Sequence, residues 1–298
     1  MPADDIRVSA IVPAYNAGRF IRETVASALA QTFSALEVVV VEDGSKEPVE
    51  WIAELDPKRV RYHRKENGGP ASARNVAVQL ARGEFVAFLD ADDLWDPTKI
   101  ERQVAALDAD PRAAFVYGTF RGIDDQGRPC RRVIHERPAG DVAEALFMYN
   151  FVTASGVMAR RQMFLDVGGF DQSPALIAVE DYDLWLRLAE RHRVCALDGE
   201  IGSYRITDAS LSRNFARLYR GERLVLERAV ARNARPEFRA RLGERLGRHH
   251  FELGYNYLSA RQFGEARQEF ARSLRKWPWS RKTWIGLGRA ALSVAPRA

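Results

Sequence analysis

Phe85-Val86-Ala87-Phe88-Leu89-Asp90-Ala91-Asp92-Asp93-Leu94-Trp95-Asp96-Pro97 is the stretch whose reading decides the fold. Five consecutive apolar residues, Phe85 to Leu89, are too few for a helix and read as a strand buried on both faces. The strand runs directly into three carboxylates within four positions. Such charge at the mouth of a core strand calls for a hard divalent cation or a set of basic side chains. Asp90 and Asp92, one residue apart, can both reach one Mg²⁺ or Mn²⁺, ions that favour oxygen ligands, or the sugar-phosphate that it holds. The other reading is an Asp-rich turn that caps a following helix, Pro97 to Leu107. This segment alone leaves both open.

The segments before it narrow the choice. Ile6 to Val12 reads as a strand stopped by Pro13, and Arg19 to Gln31 has helical periodicity through Phe20, Ile21, Val25 and Leu29. Leu36 to Val41 is a β-branched strand ending in Glu42-Asp43-Gly44-Ser45. Strand, helix, strand implies a right-handed crossover and parallel pairing. A helix over Val49 to Leu55, a short strand over Val60 to His63, and a glycine turn at Gly68-Gly69 opening a helix to Ala81 complete an open α/β sheet. Ligands in such sheets bind beyond the carboxyl ends of the strands. Those ends carry Pro13-Ala14-Tyr15-Asn16, Glu42-Asp43-Gly44-Ser45 and Asp90-Ala91-Asp92-Asp93, so three strands deliver polar clusters to one edge, which favours the metal reading.

Composition bounds the rest. The chain has 298 residues, 46% hydrophobic and 29% charged, an ordinary globular balance. Two distant cysteines, Cys130 and Cys195, argue against a disulfide framework or a structural zinc site and fit a reducing compartment. The acids of Met1-Pro2-Ala3-Asp4-Asp5 stand where a signal peptide would have bases, and no apolar run approaches the roughly 20 residues of a membrane span. The expected location is cytoplasmic. The net charge of +5 hides a split: residues 213–298 carry 20 Lys and Arg against 7 Asp and Glu, a balance of +13, and residues 1–212 carry 25 against 33, a balance of −8. The second region is expected to meet something acidic, an anionic membrane surface or a protein partner. No nucleic-acid-binding motif is recognisable, so nucleic acid is not an expected partner.

Ile11-Val12-Pro13-Ala14-Tyr15-Asn16, Gln31-Thr32-Phe33, Val41-Glu42-Asp43-Gly44-Ser45, Ala73-Arg74-Asn75 and Gly83 to Asp93, in that order, resemble family 2 glycosyltransferases of the GT-A fold. The resemblance spans about the first 210 residues and implies an inverting, metal-dependent enzyme using a nucleotide-diphospho-sugar, most often a UDP-sugar. The family's usual Asp-Asp-Gly-Ser is Glu42-Asp43-Gly44-Ser45 here. By this resemblance Pro13 and Tyr15 line the base pocket, Glu42 and Asp43 belong to the donor site with Asp43 accepting from the base, and Arg74 lies near the ribose and diphosphate. Asp90 faces the ribose or sugar, and Asp92 binds the Mn²⁺ or Mg²⁺ that bridges the phosphates. The ordinary alternatives are a rim aromatic for Tyr15, a turn acid for Asp43 and a plain helix N-terminus for Gly68-Gly69.

The acceptor side is expected downstream. Ala114 to Gly118 reads as a strand, Arg121 to Arg132 as a polar hairpin, Val142 to Tyr149 as a helix and Phe151 to Arg160 as another strand. Gly168-Gly169-Phe170, followed by Glu180-Asp181 opening a helix, resembles the family's acceptor signature. Inverting transfer needs one base for the acceptor proton, and Asp181, with Glu180 as the alternative, is the candidate. The competing reading makes Asp181 the N-cap of a helix Tyr182–Glu190. Leu184, Trp185 and Leu188 at helical spacing belong to the core. Ser203 to Ser212 resembles the family's closing loop. Where many members carry a histidine, this chain has Ile206, Thr207 and Asp208, so a third protein metal ligand would have to be Asp208 or water.

Beyond Phe215 the chain is helical and Arg-rich. Leu253-Gly254, Tyr257, Ala266, Phe270 and Pro278 fall at the offsets of a tetratricopeptide repeat, and Trp284, Leu287 and Gly288 fit the start of a second. The expectation is therefore a GT-A α/β domain over 1–212 with a Rossmann-like mixed sheet, and an all-α region over 213–298. The function implied is sugar transfer to an acceptor hydroxyl of a glycan or lipid-linked substrate in cell-surface polysaccharide synthesis. The rival is an inactive sugar-nucleotide-binding scaffold acting through its helical tail.

Overall fold

The computed structural model describes residues 6–131, 137–207 and 215–293. The chain divides into two compact units, Met1–Ser210 and Leu211–Ala298.

The first unit is a mixed sheet flanked by helices. Strands β1 (Val8–Ala14), β2 (Leu36–Asp43), β3 (Val60–Lys65) and β4 (Phe85–Phe88) are mutually parallel, with Val8 opposite both Leu36 and Phe85. Every residue of β2 and β4 is buried, as expected for strands covered on both faces. Helix α1 (Ile21–Leu29) buries Ile21, Val25 and Ala28 at i, i+4 and i+7. Helix α2 (Pro70–Leu80) starts with proline at its first position, where the missing N–H costs nothing.

Past β4 the sheet changes direction. A two-residue strand β5 (Leu94–Trp95) precedes α3 (Lys99–Ala109) and the long β6 (Ala113–Ile123), which turns back into β7 (Pro129–Arg131). Helix α4 (Ala143–Met148), strand β8 (Met158–Arg160), helices α5 (Arg161–Asp166) and α6 (Glu180–Ala189), and strand β9 (Arg193–Arg205) follow. The sheet order is β3-β2-β1-β4-β8-β6-β9-β5, with β7 on β6. Strand β8 runs antiparallel to β4 and β6, and β5 antiparallel to β9. The expected mixed Rossmann-like sheet is what the chain forms.

Several local expectations change. Phe151 to Arg160 is not one strand: a 3-10 turn at Ala154–Gly156 precedes the three residues of β8. Gly156 presses so close to β6 that a Cβ there would lie 2.7 Å from the Gly118 carbonyl oxygen. Glu50–Leu55 is also 3-10 rather than α-helix. Strand β6 runs past Gly118 to Ile123, and Helix α6 begins at Glu180, so Asp181 sits inside its first turn and is not its N-cap.

An aromatic cluster fastens this half of the unit. Trp185 of α6 packs against Phe88 (5.6 Å), Phe115 (5.4 Å) and Phe170 (6.0 Å), all buried. Burying each ring is worth about 1.5–3 kcal/mol. The cluster holds the acidic start of α6 against the end of β4. Leu184, Trp185 and Leu188 are fully buried, as their spacing implies.

The second unit holds α7 (Phe215–Arg232), α8 (Pro236–Ser259), α9 (Phe263–Lys276) and α10 (Arg281–Ala291). Gly254 meets Phe270 and Gly247 meets Trp277, so α8 and α9 run antiparallel with small residues where they approach. Leu258, Ala266, Phe270 and Ala290 form its small core, and Gly286 of α10 also packs on Phe270. His249 is buried in α8, and His250 Nδ1 lies 2.7 Å from Glu269 Oε2. Among the described residues no helix is long and apolar enough to cross a membrane.

Candidate active site

Strands β1, β2 and β4 end at one edge of the sheet, because Val12 to Ala14 run level with Val40 to Glu42 and Ile11 pairs with Phe88. Asp43, the last residue of β2, is buried and heavily engaged. Its Oδ1 accepts from Lys65 Nζ (2.7 Å) and Gly68 N (3.0 Å), and its Oδ2 from Gly69 N (2.7 Å). A carboxylate has about four lone-pair sites, so among the described residues one on Oδ2 is left for a ligand. Gly69, at φ +85°, adopts a left-handed conformation that favours glycine, and there it turns its amide toward Asp43. Tyr15 is 58% exposed beyond the end of β1, its ring open for stacking, and Pro13 is partly buried beside it.

Glu42 occupies a different place. It is fully buried; Oε1 accepts from Ser45 Oγ and Oε2 from Val49 N (3.2 Å). Ser45 Oγ in turn accepts from Asn16 N (2.7 Å). Glu42 thus shapes the loop that carries Asp43.

The acidic loop after β4 is fixed at both ends. Leu89 N donates to Ile11 O (3.0 Å), Asp93 N closes a turn onto Asp90 O (3.1 Å), and Leu94 pairs with Ser203 of β9. Asp90 and Asp92 stay partly exposed, whereas Asp93 is fully buried. Asp93 accepts from Ser155 Oγ (2.6 Å) and from Arg205 N (2.9 Å). Burial, with the nearby charges of Asp92 and Asp90, raises its carboxyl well above the ordinary range. Arg205 itself is buried and donates Nε to Asp92 O (2.9 Å), Nη1 to Asp124 O (3.1 Å) and Nη2 to Glu23 Oε1 (2.8 Å).

Arg74 connects this loop to α6. Its guanidinium is buried, with Nη2 on Asp90 Oδ1 (2.7 Å) and Nη1 on Glu180 Oε1 (2.6 Å). It also stacks over Phe170 at 5.4 Å, and its Nε is a buried donor without a partner among the described residues. Glu180 spends its second oxygen on Ala178 N (2.7 Å), which holds Ala178 at φ +80°. Asn75 fixes the neighbouring Gly-Gly-Phe turn, accepting from Phe170 N (2.9 Å) and donating to Phe170 O (2.8 Å).

Among the described residues, Asp181 Oδ1 accepts from the adjacent Tyr182 N (2.7 Å), and no hydrogen bond engages its Oδ2. Burial and then the charge of Glu180 raise its carboxyl to about 7, against the lowering pull of Arg74. A carboxylate poised there suits a general base near neutral pH. Asp92 is raised to about 6 by burial and by the charge of Asp90. A cation would relieve both causes. Among the described residues no group of three or more His, Cys, Asp and Glu forms a ready-made cage. Mg²⁺ and Mn²⁺ commonly take one or two carboxylates and complete their shell with substrate phosphates and water, and the Asp90–Asp92 pair fits that pattern. Asp208 lies outside the described residues.

Asp43, Arg74, Asp90, Asp92, Glu180 and Asp181 carry sequence signals of a site, whereas Lys65, Ser155, Arg205 and Asn75 support them through contacts that only the fold shows. Arg205 ends β9, whose alternation is broken by Asp198-Gly199-Glu200; the closing-loop resemblance covers it but does not reveal its bond to Asp93.

Comparison with known proteins gives this arrangement a context. A family model described as glycosyl transferase family 2 matches residues 9–167. An Escherichia coli protein named UDP-Glc:alpha-D-GlcNAc-diphosphoundecaprenol beta-1,3-glucosyltransferase is 30% identical over 216 residues, covering 71% of this chain and 81% of that protein. The chain spans 27% to 58% of the length of several Rickettsia relatives described as uncharacterised glycosyltransferases. Among solved structures, Staphylococcus aureus TarS 1-349 in complex with UDP-GlcNAc superposes with a TM-score of 0.68 at 21% identity, covering 97% of this chain and 88% of that one. A mannosyltransferase of Pyrobaculum calidifontis in complex with GDP-Man and Mn²⁺ gives 0.66 at 21% identity, covering 96% and 79%. At these identities both show a shared fold.

Proposed function

This chain belongs to glycosyl transferase family 2, and on that premise we propose that it moves a sugar from a nucleoside-diphospho-sugar to an acceptor hydroxyl with inversion. One observation carries the reading: Arg74 bonds Asp90 at 2.7 Å and Glu180 at 2.6 Å, so the acidic loop and the acidic helix start share one site. The E. coli relative named for UDP-Glc and a diphosphoundecaprenol acceptor supports a UDP-sugar donor and a glycan or lipid-linked acceptor in cell-surface polysaccharide synthesis.

The residues divide the work. Asp43 accepts from the base through its remaining lone pair while Lys65, Gly68 and Gly69 hold it, and Tyr15 with Pro13 flanks the ring. Asp92 and Asp90 would hold a Mn²⁺ or Mg²⁺, which when bound neutralises charge on the departing diphosphate. Arg74 keeps Asp90 in place and sets positive charge beside the site. Asp181 takes the acceptor proton as that oxygen attacks the anomeric carbon from the side opposite the diphosphate. Glu180, with both oxygens occupied, is the orienting residue rather than the base.

Replacing Asp181 by Asn tests the reading. Transfer should fall by at least about 100-fold while nucleotide binding persists, in line with loss of a general base. Undiminished transfer would remove Asp181 from the mechanism. A scaffold without catalysis would show no transfer in the unmodified chain with any nucleotide sugar.

A further inference from the structure

The second unit carries a surface that its own folding does not explain. Helix α10 packs inward through Thr283, Gly286 and Ala290. Its outward face, at i, i+4 and i+11, presents Arg281, Ile285 and Leu292, with Trp284 beside them. Ile285 is 60% exposed, Leu292 78% and Trp284 57%, and Trp279 in the preceding turn is 84% exposed. A surface helix ordinarily turns polar residues outward, and a cluster of large exposed apolar side chains beside basic ones marks an interaction surface.

Charge names the cover. From Phe270 to the end of the sequence there is no Asp or Glu. Arg275, Lys276, Arg281 and Lys282 are all exposed, and none makes an ion pair among the described residues. In sequence they flank Trp279 and the start of α10, which carries Trp284. Indole rings prefer the water–hydrocarbon boundary, where the ring is apolar and the N–H keeps a polar partner, as Trp284 Nε1 does by donating to Pro278 O (3.0 Å). Clustered Lys and Arg beside such rings match anionic headgroups. The core of this unit ties the surface down: Phe270 packs on Gly254 and Gly286, and Ser280 caps α10 by accepting from Thr283 N (3.2 Å).

We propose that the α9–α10 turn and the outer face of α10 form a docking surface for an anionic phospholipid bilayer. Trp279, Trp284, Ile285 and Leu292 enter the interface, and Arg275, Lys276, Arg281 and Lys282 pair with lipid phosphates. The proposal deepens the reading of a lipid-linked acceptor, since it holds the chain where such an acceptor resides.

The test is co-sedimentation of the full chain with vesicles of phosphatidylcholine alone and with 30 mol% phosphatidylglycerol, about that fraction being enough to create a negative surface potential. Binding is expected only to the anionic vesicles, falling at least tenfold between low salt and about 0.5 M salt, where screening shortens to a few ångströms. Trp279→Ser with Trp284→Ser, and separately Lys276→Glu with Lys282→Glu, should each lower binding at least tenfold. Circular dichroism and transfer to a soluble acceptor should stay unchanged, which separates a failed surface from a failed catalytic assignment. Equal binding to both vesicle types, no binding to either, or full binding by both double variants would overturn it. So would tighter association with polyglutamate than with anionic vesicles, which would point to an acidic protein instead.

Discussion

Arg74 and Glu180 are joined across 106 residues of chain by a 2.6 Å bond between Nη1 and Oε1, with both side chains buried. The same guanidinium holds Asp90, so one side chain keeps the acid after β4 and the acid at the start of α6 in register. Two carboxylates share this cation, and their charges raise its already high pKa against the cost of burial. Removing the cation would leave two acids beside Asp181 and Asp92 without compensation.

Arg74→Ala should therefore destabilise the first unit by about 3–5 kcal/mol, the cost of breaking a buried ion pair, and abolish transfer. Arg74→Lys keeps a charge but cannot fork between two carboxylates and should recover only part of either. Thermal melts with transfer assays on both variants check this. A stable and active Arg74→Ala protein would contradict the linkage.

Asp181, raised to about 7, must be ionised to act as a base, so kcat should rise with pH through about 7 and level off above it. The stability effect has the opposite sign. Between about pH 4 and 7 the folded state keeps a proton that the unfolded chain has lost, so stability falls as pH climbs through that window. At pH 8 Asp181→Asn should be about 1–3 kcal/mol more stable than the unmodified chain while being inactive. Denaturant melts at pH 5 and pH 8 measure it, and a gain at pH 5 equal to that at pH 8 would count against the assignment.

Asp92 and Asp93 are neighbours with different consequences. Asp93 is buried on Ser155 and Arg205, so Asp93→Ala leaves their donors unsatisfied and should cost about 2–4 kcal/mol. Asp92→Ala, at a partly exposed position, should leave the melting temperature within a few degrees of the original and remove the effect of added Mn²⁺ on nucleotide binding. Equal melting losses in the two variants would blur the division.

How much of this was legible in the sequence follows from the range of each interaction. Strand runs such as Leu36 to Val41 and the clusters at their ends are local, and they led directly to Asp43, Asp90 and Asp92. Glu42 looked like its neighbour Asp43, yet alternation along β2 turns its carboxylate to Ser45 and Val49 N, which no residue type reveals. Ser155 and Arg205 reach Asp93 from 62 and 112 residues away, and only the folded sheet brings them there. The 3-10 turn at Ala154–Gly156 was hidden because its apolar flanks read as a strand.

Gly169, at φ +68° with a would-be Cβ 2.8 Å from Asn75 Oδ1, has no room for a side chain. Gly169→Ala should destabilise by about 1–3 kcal/mol and raise the KM for acceptor more than that for donor, because the turn borders α6. Steady-state kinetics with each substrate varied decide it. A change confined to the donor KM would place the turn elsewhere in the mechanism.

The proposed site is a nucleotide-diphosphate site completed by a metal at Asp92. Calorimetric titration of UDP into the full chain, with and without Mn²⁺ and repeated with Asp92→Ala, tests it most directly. Binding at least about tenfold tighter with Mn²⁺ is expected in the unmodified chain, and no gain from Mn²⁺ in the variant. Identical UDP affinity with and without metal in both proteins would contradict it.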